Sequence, residues 1–193
     1  MDIIQHKLDT PNNLQLYLYR EFLNNKQADW AFNYFGQKTI WSQDSYKFSG
    51  KTVLAPRLTA LYGDGDYIYS GITKKSNGWN TPLLRLVKLI EEKTGGKFNS
   101  VLLNHYKNGK SSIGMHSDNE PELGNRPVVS SLSLGGSRKF RLQHKTTGEQ
   151  FSIVLNHGDY LVMGAGTQQD WKHGINKCRN AEPRISLTFR YII

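Results

Sequence analysis

The chain predicts a mainly β protein with supporting helices, and three observations carry that prediction. After Lys97 the texture changes to short alternating stretches divided by turn residues. Before Lys97, two stretches carry helical periodicity. Across all 193 residues there is no repeat, low-complexity tract or Gly/Ser linker to divide the chain.

In chain order, residues 1–15 are polar and patternless and read as a lead-in. Asn24 or Asn25 caps a short helix with Ala28, Trp30, Ala31, Tyr34 and Phe35 on its apolar side, and Gly36 is expected to stop it. An aromatic-flanked turn from Tyr62 to Tyr69 reads as a hairpin. Thr81 is expected to cap a second helix, with Pro82 in its first turn, Leu83, Leu86, Val87 and Ile90 as its stripe and Gly95-Gly96 at its end. Strands follow at 98–106, 113–118, 127–134, 139–144, 150–155, 159–163 and 184–192, a spacing that reads as a sandwich or barrel. The expected organisation is one compact unit, with residues 1–97 as a helical extension and 98–193 as the β core.

Composition narrows the partners. Cys178 stands alone, which excludes an internal disulfide and a cysteine-rich structural zinc site and suits a reducing compartment. Nothing resembles a signal peptide or a membrane-spanning run, so the expectation is a cytoplasmic monomer, nuclear if the source is eukaryotic. A net charge of +9, with both halves basic, favours polyanions through phosphate contacts and counterion release.

The chemistry concentrates in His116-Ser117-Asp118, the distant His173, and the run from Arg184 to Arg190. Residues i and i+2 of a strand point the same way, so His116 and Asp118 can hold one ion, with His173 arriving from another strand. Two imidazoles and a carboxylate occupy one face of an octahedral ion and leave positions open for chemistry, although a catalytic zinc would use the same set. Arg184, Ser186, Thr188 and Arg190 share one face of their strand, opposite Ile185, Leu187, Phe189 and Tyr191. Arginine forks grip carboxylates bidentately, so this polar face suits a small dicarboxylate such as 2-oxoglutarate, which also chelates iron through its oxoacid end.

At this point the chain resembles the AlkB family of Fe(II)/2-oxoglutarate dioxygenases. The resemblance runs from about Pro56 to Ile193 through Pro56-Arg57-Leu58-Thr59-Ala60, Tyr67-Ile68-Tyr69-Ser70, Leu103-Asn104-His105-Tyr106, His116-Ser117-Asp118-Asn119-Glu120-Pro121, Ser131-Leu132-Ser133-Leu134-Gly135, His157-Gly158-Asp159, Trp171-Lys172-His173 and the terminal arginine run. It implies a double-stranded β-helix (jelly-roll) core, Fe(II) held by His116, Asp118 and His173, and 2-oxoglutarate contacted by Asn104, Tyr106, Arg184, Ser186 and Arg190. Ser186 departs from the family's usual Asn, which bears on cosubstrate affinity. The other four histidines, His6, His105, His144 and His157, read as structural or solvent-facing.

The resemblance also implies a substrate: 1-methyladenine or 3-methylcytosine in DNA or RNA, oxidatively demethylated with release of aldehyde, succinate and carbon dioxide. The segment before residue 97 then includes a nucleotide-recognition lid, with Tyr67 or Tyr69 stacking on a flipped base. Arg57 becomes a phosphate contact, and Glu120 an acid favouring the cationic damaged base. Duplex-invading relatives carry an apolar wedge where this chain has Phe48-Ser49-Gly50-Lys51; a serine at that tip favours single-stranded substrates. Two alternatives stay open: a dioxygenase acting on a protein side chain or a specific RNA mark, and a non-catalytic nucleic-acid-binding module.

Overall fold

The computed structural model describes residues 5–12, 14–48, 50–69 and 72–193. Its strands are β1 (Gln5–Lys7), β2 (Leu16–Tyr19), β3 (Ser45–Phe48), β4 (Lys51–Leu54), β5 (Leu58–Gly63), β6 (Tyr67–Tyr69), β7 (Ile72–Lys74), β8 (Ser100–Tyr106), β9 (Ile113–His116), β10 (Val129–Gly135), β11 (Arg138–His144), β12 (Gln150–Leu155), β13 (Tyr160–Met163), β14 (Trp171–Ile175) and β15 (Arg184–Arg190). The helices are α1 (Asn25–Lys38), α2 (Thr81–Thr94) and the single-turn α3 (Thr167–Asp170).

A seven-stranded sheet runs β1-β2-β13-β10-β15-β8-β5 and a four-stranded sheet β12-β11-β14-β9, each built of antiparallel pairs. The larger sheet is covered on both faces. Its Leu103, Leu132, Leu134, Ile185, Leu187 and Phe189 pack against Ala28, Ala31 and Phe35 of α1 and Leu83, Leu86, Val87 and Ile90 of α2. Its other face contributes Leu16, Leu18, Tyr106, Val129 and Leu161 to a core shared with Phe140, Leu142, Trp171 and Ile175 of the smaller sheet. Each such buried side chain contributes about 1.5–3 kcal/mol, and Ile185, Leu187 and Phe189 fix β15 against the helices while Arg184, Ser186, Thr188 and Arg190 of its other face line a cavity.

Several elements depart from the sequence-based expectation. The lead-in contains β1, paired with β2, and β2 in turn pairs with β13. Helix α1 runs through Gly36 to Lys38. An interior glycine costs about 1 kcal/mol, less than the flanking Phe35 recovers by burial, and Gly36 lies close to Ile185 of the sheet beneath. Asn24 is the α1 cap, in a reciprocal box with Gln27. The α2 cap is Asn80 rather than Thr81, accepting from the Leu83 N–H, and Gly95 ends the helix with φ +71°. Tyr62 and Tyr69 do not form one hairpin: β5 pairs with β8, and β6 with β7. Strand β9 stops at His116, leaving Asp118 in the following loop, and the strand expected to bring His173, whose bounds were left open in the sequence, is β14.

On either side of the sequence division expected at 97/98, β2 and β5 pair with β13 and β8. Outside the two sheets stand two small ribbons, β3–β4 and β6–β7. No described helix is long and apolar enough to cross a membrane.

Candidate metal centre

His116 at the end of β9 and His173 in the middle of β14 are direct antiparallel partners, with ring centroids 4.4 Å apart. The register between these strands shifts just after His173, where Gly174 sits. A Cβ there would stand 2.9 Å from the Ile113 carbonyl, so glycine is what lets β9 and β14 approach. Asp118 reaches the pair from its loop: His116 Nε2 lies 3.7 Å from Asp118 Oδ1 and His173 Nε2 lies 3.8 Å from Oδ2. One ligand atom from each residue falls within 4.8 Å of the others.

The loop is tied down from two sides. Ser117 Oγ donates to the Trp171 carbonyl at 2.8 Å, and the Asp118 N–H donates to Oε1 of the fully buried Gln168 at 3.0 Å. These ties do for Asp118 what strand geometry was expected to do, joining its loop to the segment that leads into His173. No sequence signal marked Gln168.

The electrostatics suit a cation. Burial acts to raise the Asp118 pKa, but the Arg190 guanidinium, His173 and His116 outweigh it and hold the carboxyl down at about 2. Arg190 Nη2 donates to Asp118 Oδ1 at 3.0 Å, while the buried Oδ2 has no hydrogen-bond partner. A buried carboxylate oxygen without a donor is costly, and a metal ion is a partner this donor set fits. His173, pushed down to about 3 by burial and by His116, is neutral at physiological pH and offers a lone pair.

Across the cavity, Arg184 is 1% exposed. Its Nη2 donates to Ser133 Oγ at 2.9 Å, and its guanidinium carbon lies 5.3 Å from the Tyr106 ring centroid. Nε and Nη1 have no hydrogen-bond partner, leaving two buried charged donors of the kind a carboxylate takes up. Burial lowers the Arg184 pKa, with Tyr106 opposing that shift and Arg138 adding to it. Asn104, Ser186 and Ser133 are buried neighbours in register across β8, β15 and β10, and Ser131 lines the same cavity. Ser131 and Ser133 belong to a run that carries part of the family resemblance but had no site role assigned from the sequence; their alternation with Leu132 and Leu134 is the signal that could have marked them.

A groove of about 650 Å³ opens beside the cavity and shares His116 and Ile113 with it. Tyr46, Val53 and Leu54 of the β3–β4 ribbon form one wall and Met115 of β9 belongs to the other. Arg57 also lines the groove, and its Nε donates to Asn104 Oδ1 at 2.8 Å. Tyr67 is 1% exposed and packs with Leu61, Leu102 and Leu123; its hydroxyl donates to Glu120 Oε2 at 2.9 Å, and the Arg190 guanidinium lies 5.8 Å from its ring. The structure thus joins Tyr67, Glu120, Arg190 and Asp118 in one chain of contacts. Tyr69 is in β6, but its side chain lies outside the described residues, as do Ser49 and Ser70.

A family model for the 2OG-Fe(II) oxygenase superfamily matches residues 15–190. The chain is 42% identical over 186 residues to alpha-ketoglutarate-dependent dioxygenase alkB homolog 3 of Homo sapiens, covering 91% of this chain and 65% of that protein. It is 31% identical over 216 residues to the DNA oxidative demethylase ALKBH2 of Arabidopsis thaliana, covering 96% and 69%. The solved structure of OsALKBH1 superposes with a TM-score of 0.68 at 17% identity, over 97% of this chain and 100% of that one. A 2OG-Fe(II) oxygenase family oxidoreductase from Burkholderia pseudomallei superposes at 0.61 and 13% identity, over 92% and 84%. These two likenesses show the fold, the double-stranded β-helix. The chain spans just under two thirds of the alkB homolog 3 protein it matches.

Proposed function

We propose that this chain, which belongs to the AlkB family of 2OG-Fe(II) oxygenases, oxidatively removes alkyl groups from the base-pairing edge of DNA or RNA bases, of the 1-methyladenine and 3-methylcytosine type. The observation that carries this reading is the juxtaposition of three ligand atoms within 4.8 Å of one another with the two unpartnered donor nitrogens of the buried Arg184 in the same cavity. His116, Asp118 and His173 would hold Fe(II); Arg184, Asn104, Tyr106, Ser186 and Arg190 would hold 2-oxoglutarate. Together, when bound, metal and cosubstrate supply oxygen activation, with succinate and carbon dioxide as products.

The chain's own residues then select and place the substrate. Arg190 keeps the Asp118 carboxyl ionised and oriented. Arg184 supplies the buried positive charge that a dicarboxylate's far end seeks. Glu120, half-buried and oriented by the Tyr67 hydroxyl, favours a base made cationic by alkylation. Tyr67 acts through Glu120, and Tyr69 is the candidate to stack on the base. Arg57 and the basic surface draw the phosphates. Once the N-alkyl carbon is hydroxylated, the resulting hemiaminal releases an aldehyde and leaves the repaired base.

Single-stranded nucleic acid is the preferred form, because Ser49 offers no apolar plug to replace the stacking lost when a duplex is opened. The test is incubation with single- and double-stranded oligonucleotides carrying 1-methyladenine or 3-methylcytosine, with Fe(II), 2-oxoglutarate and oxygen. The expected result is base repair matched by succinate, faster on single strands. Unchanged bases with metal-loaded, folded protein would overturn the reading.

A further inference from the structure

We propose that Lys74, Asp44 and Thr59 form a clamp that couples the two ribbons beside the groove, making Lys74 a positioning residue for the nucleic-acid strand. This rests on the reading that the groove takes nucleic acid. Lys74 lies on β7 and is 7% exposed. Its ammonium donates to both Asp44 carboxylate oxygens at 2.6 Å and to Thr59 Oγ1 at 2.7 Å, while the Thr59 hydroxyl donates to Asp44 Oδ2 at 3.1 Å. An ammonium has three N–H groups, matching these three acceptors.

Each partner belongs to a different part of the fold. Asp44 immediately precedes β3, lines the groove, and accepts the Ala55 N–H at its carbonyl at 2.8 Å, which closes the base of the β3–β4 ribbon. Thr59 is fully buried in β5, the edge strand of the seven-stranded sheet. Lys74 anchors β6–β7, the ribbon that carries Tyr67 and Tyr69. One buried cation therefore bolts both ribbons to the same point on the sheet. Two-stranded ribbons are marginal alone, and these expose apolar side chains, Tyr46 and Leu54 on one and Ile68 on the other. A buried ion pair adds little net stability compared with apolar packing, but it sets register, and removing one partner strands the other. The clamp thus fixes the separation of the two ribbons.

The test combines hydrogen–deuterium exchange with steady-state kinetics on Lys74→Met, Asp44→Asn and the double variant Lys74→Met/Asp44→Leu. Lys74→Met is expected to accelerate exchange both in its own ribbon and in Ser45–Leu54, and to raise the oligonucleotide KM about ten-fold with the 2-oxoglutarate KM unchanged. The double variant, with no charge left unpaired, restores protection in both ribbons. Acceleration confined to Tyr67–Lys74, or an unchanged oligonucleotide KM, would overturn the proposal. If Lys74→Met fails to fold, the double variant and Asp44→Asn are held to the same coupling of exchange between ribbons. Exchange needs no substrate, so unmodified protein that repairs no base would refute the functional reading while the coupling is still measured.

Discussion

His116, His173 and Arg184 project from strands paired within the two sheets, and Asp118, in its loop, is held by the buried Gln168. Tyr46, Leu54 and Ile68, by contrast, stand on two-stranded ribbons outside those sheets, exposed and bolted by the Lys74–Asp44 pair. The reaction end is over-determined by packing; the groove end hangs on few ties. Chemistry that needs ligand atoms held to fractions of an ångström is placed on rigid strands, whereas a ribbon with few buried contacts opens more readily.

Four substitutions break or sharpen that contrast. Asp118→Asn weakens the metal site and should lower base repair by about a thousand-fold or more, while oligonucleotide affinity in a gel-shift assay changes little. Arg184→Ala should raise the KM for 2-oxoglutarate by roughly 30-fold, the equivalent of about 2 kcal/mol for losing one partner of a buried charge pair. Succinate release at varied 2-oxoglutarate measures it, and an unchanged KM would remove Arg184 from the cosubstrate site. Arg57→Ala tests the border of the two regions, because Arg57 lines the groove and also bonds Asn104. Its expected effect is a several-fold rise in oligonucleotide KM and a salt slope smaller by about one; a parallel shift in 2-oxoglutarate KM would show that the regions are not independent.

The smallest effect concerns His105, half-buried on β8 and packed against Trp41. Burial, aided by the Lys107 charge, lowers its pKa below the ordinary 6.5. The unfolded chain then binds the proton more readily than the native state, so His105's contribution is intact above pH 6.5 and is lost as pH falls toward the depressed value. Thermal melts of His105→Gln between pH 7.5 and 5 should show a flatter pH dependence than the unsubstituted protein.

The two strands that carry most of the site differ in how openly they declare themselves. Arg184 to Arg190 alternates polar and apolar because one face of β15 meets the helices and the other the cavity, so both its strand character and which of its residues face the cavity were legible. In β14 the inward residues are Trp171, His173 and Ile175. A histidine at the middle of that face hides the period, and Gly174 interrupts it, so the bounds of the strand went unread although His173 was placed on one. Asp118 was legible as a ligand for a reason that failed: it lies past the end of β9, held by Ser117 and Gln168 through contacts 50 or more residues away in sequence. Tyr67 was legible as one of an aromatic pair, but its burial under Leu61, Leu102 and Leu123 depends largely on residues far from it in the chain. Likewise β1 and β2 were missed because so short a run acquires its strand state from pairing with β13.

The Arg190–Asp118 hydrogen bond carries one more consequence. With Oδ1 taken up by a guanidinium N–H, Oδ2 is the carboxylate oxygen left without a hydrogen-bond partner, 3.8 Å from His173 Nε2. The arginine thereby decides which carboxylate oxygen stays available beside the two imidazoles that would hold a metal with it. A side chain outside the two-histidine, one-aspartate set thus governs how that set presents its donors.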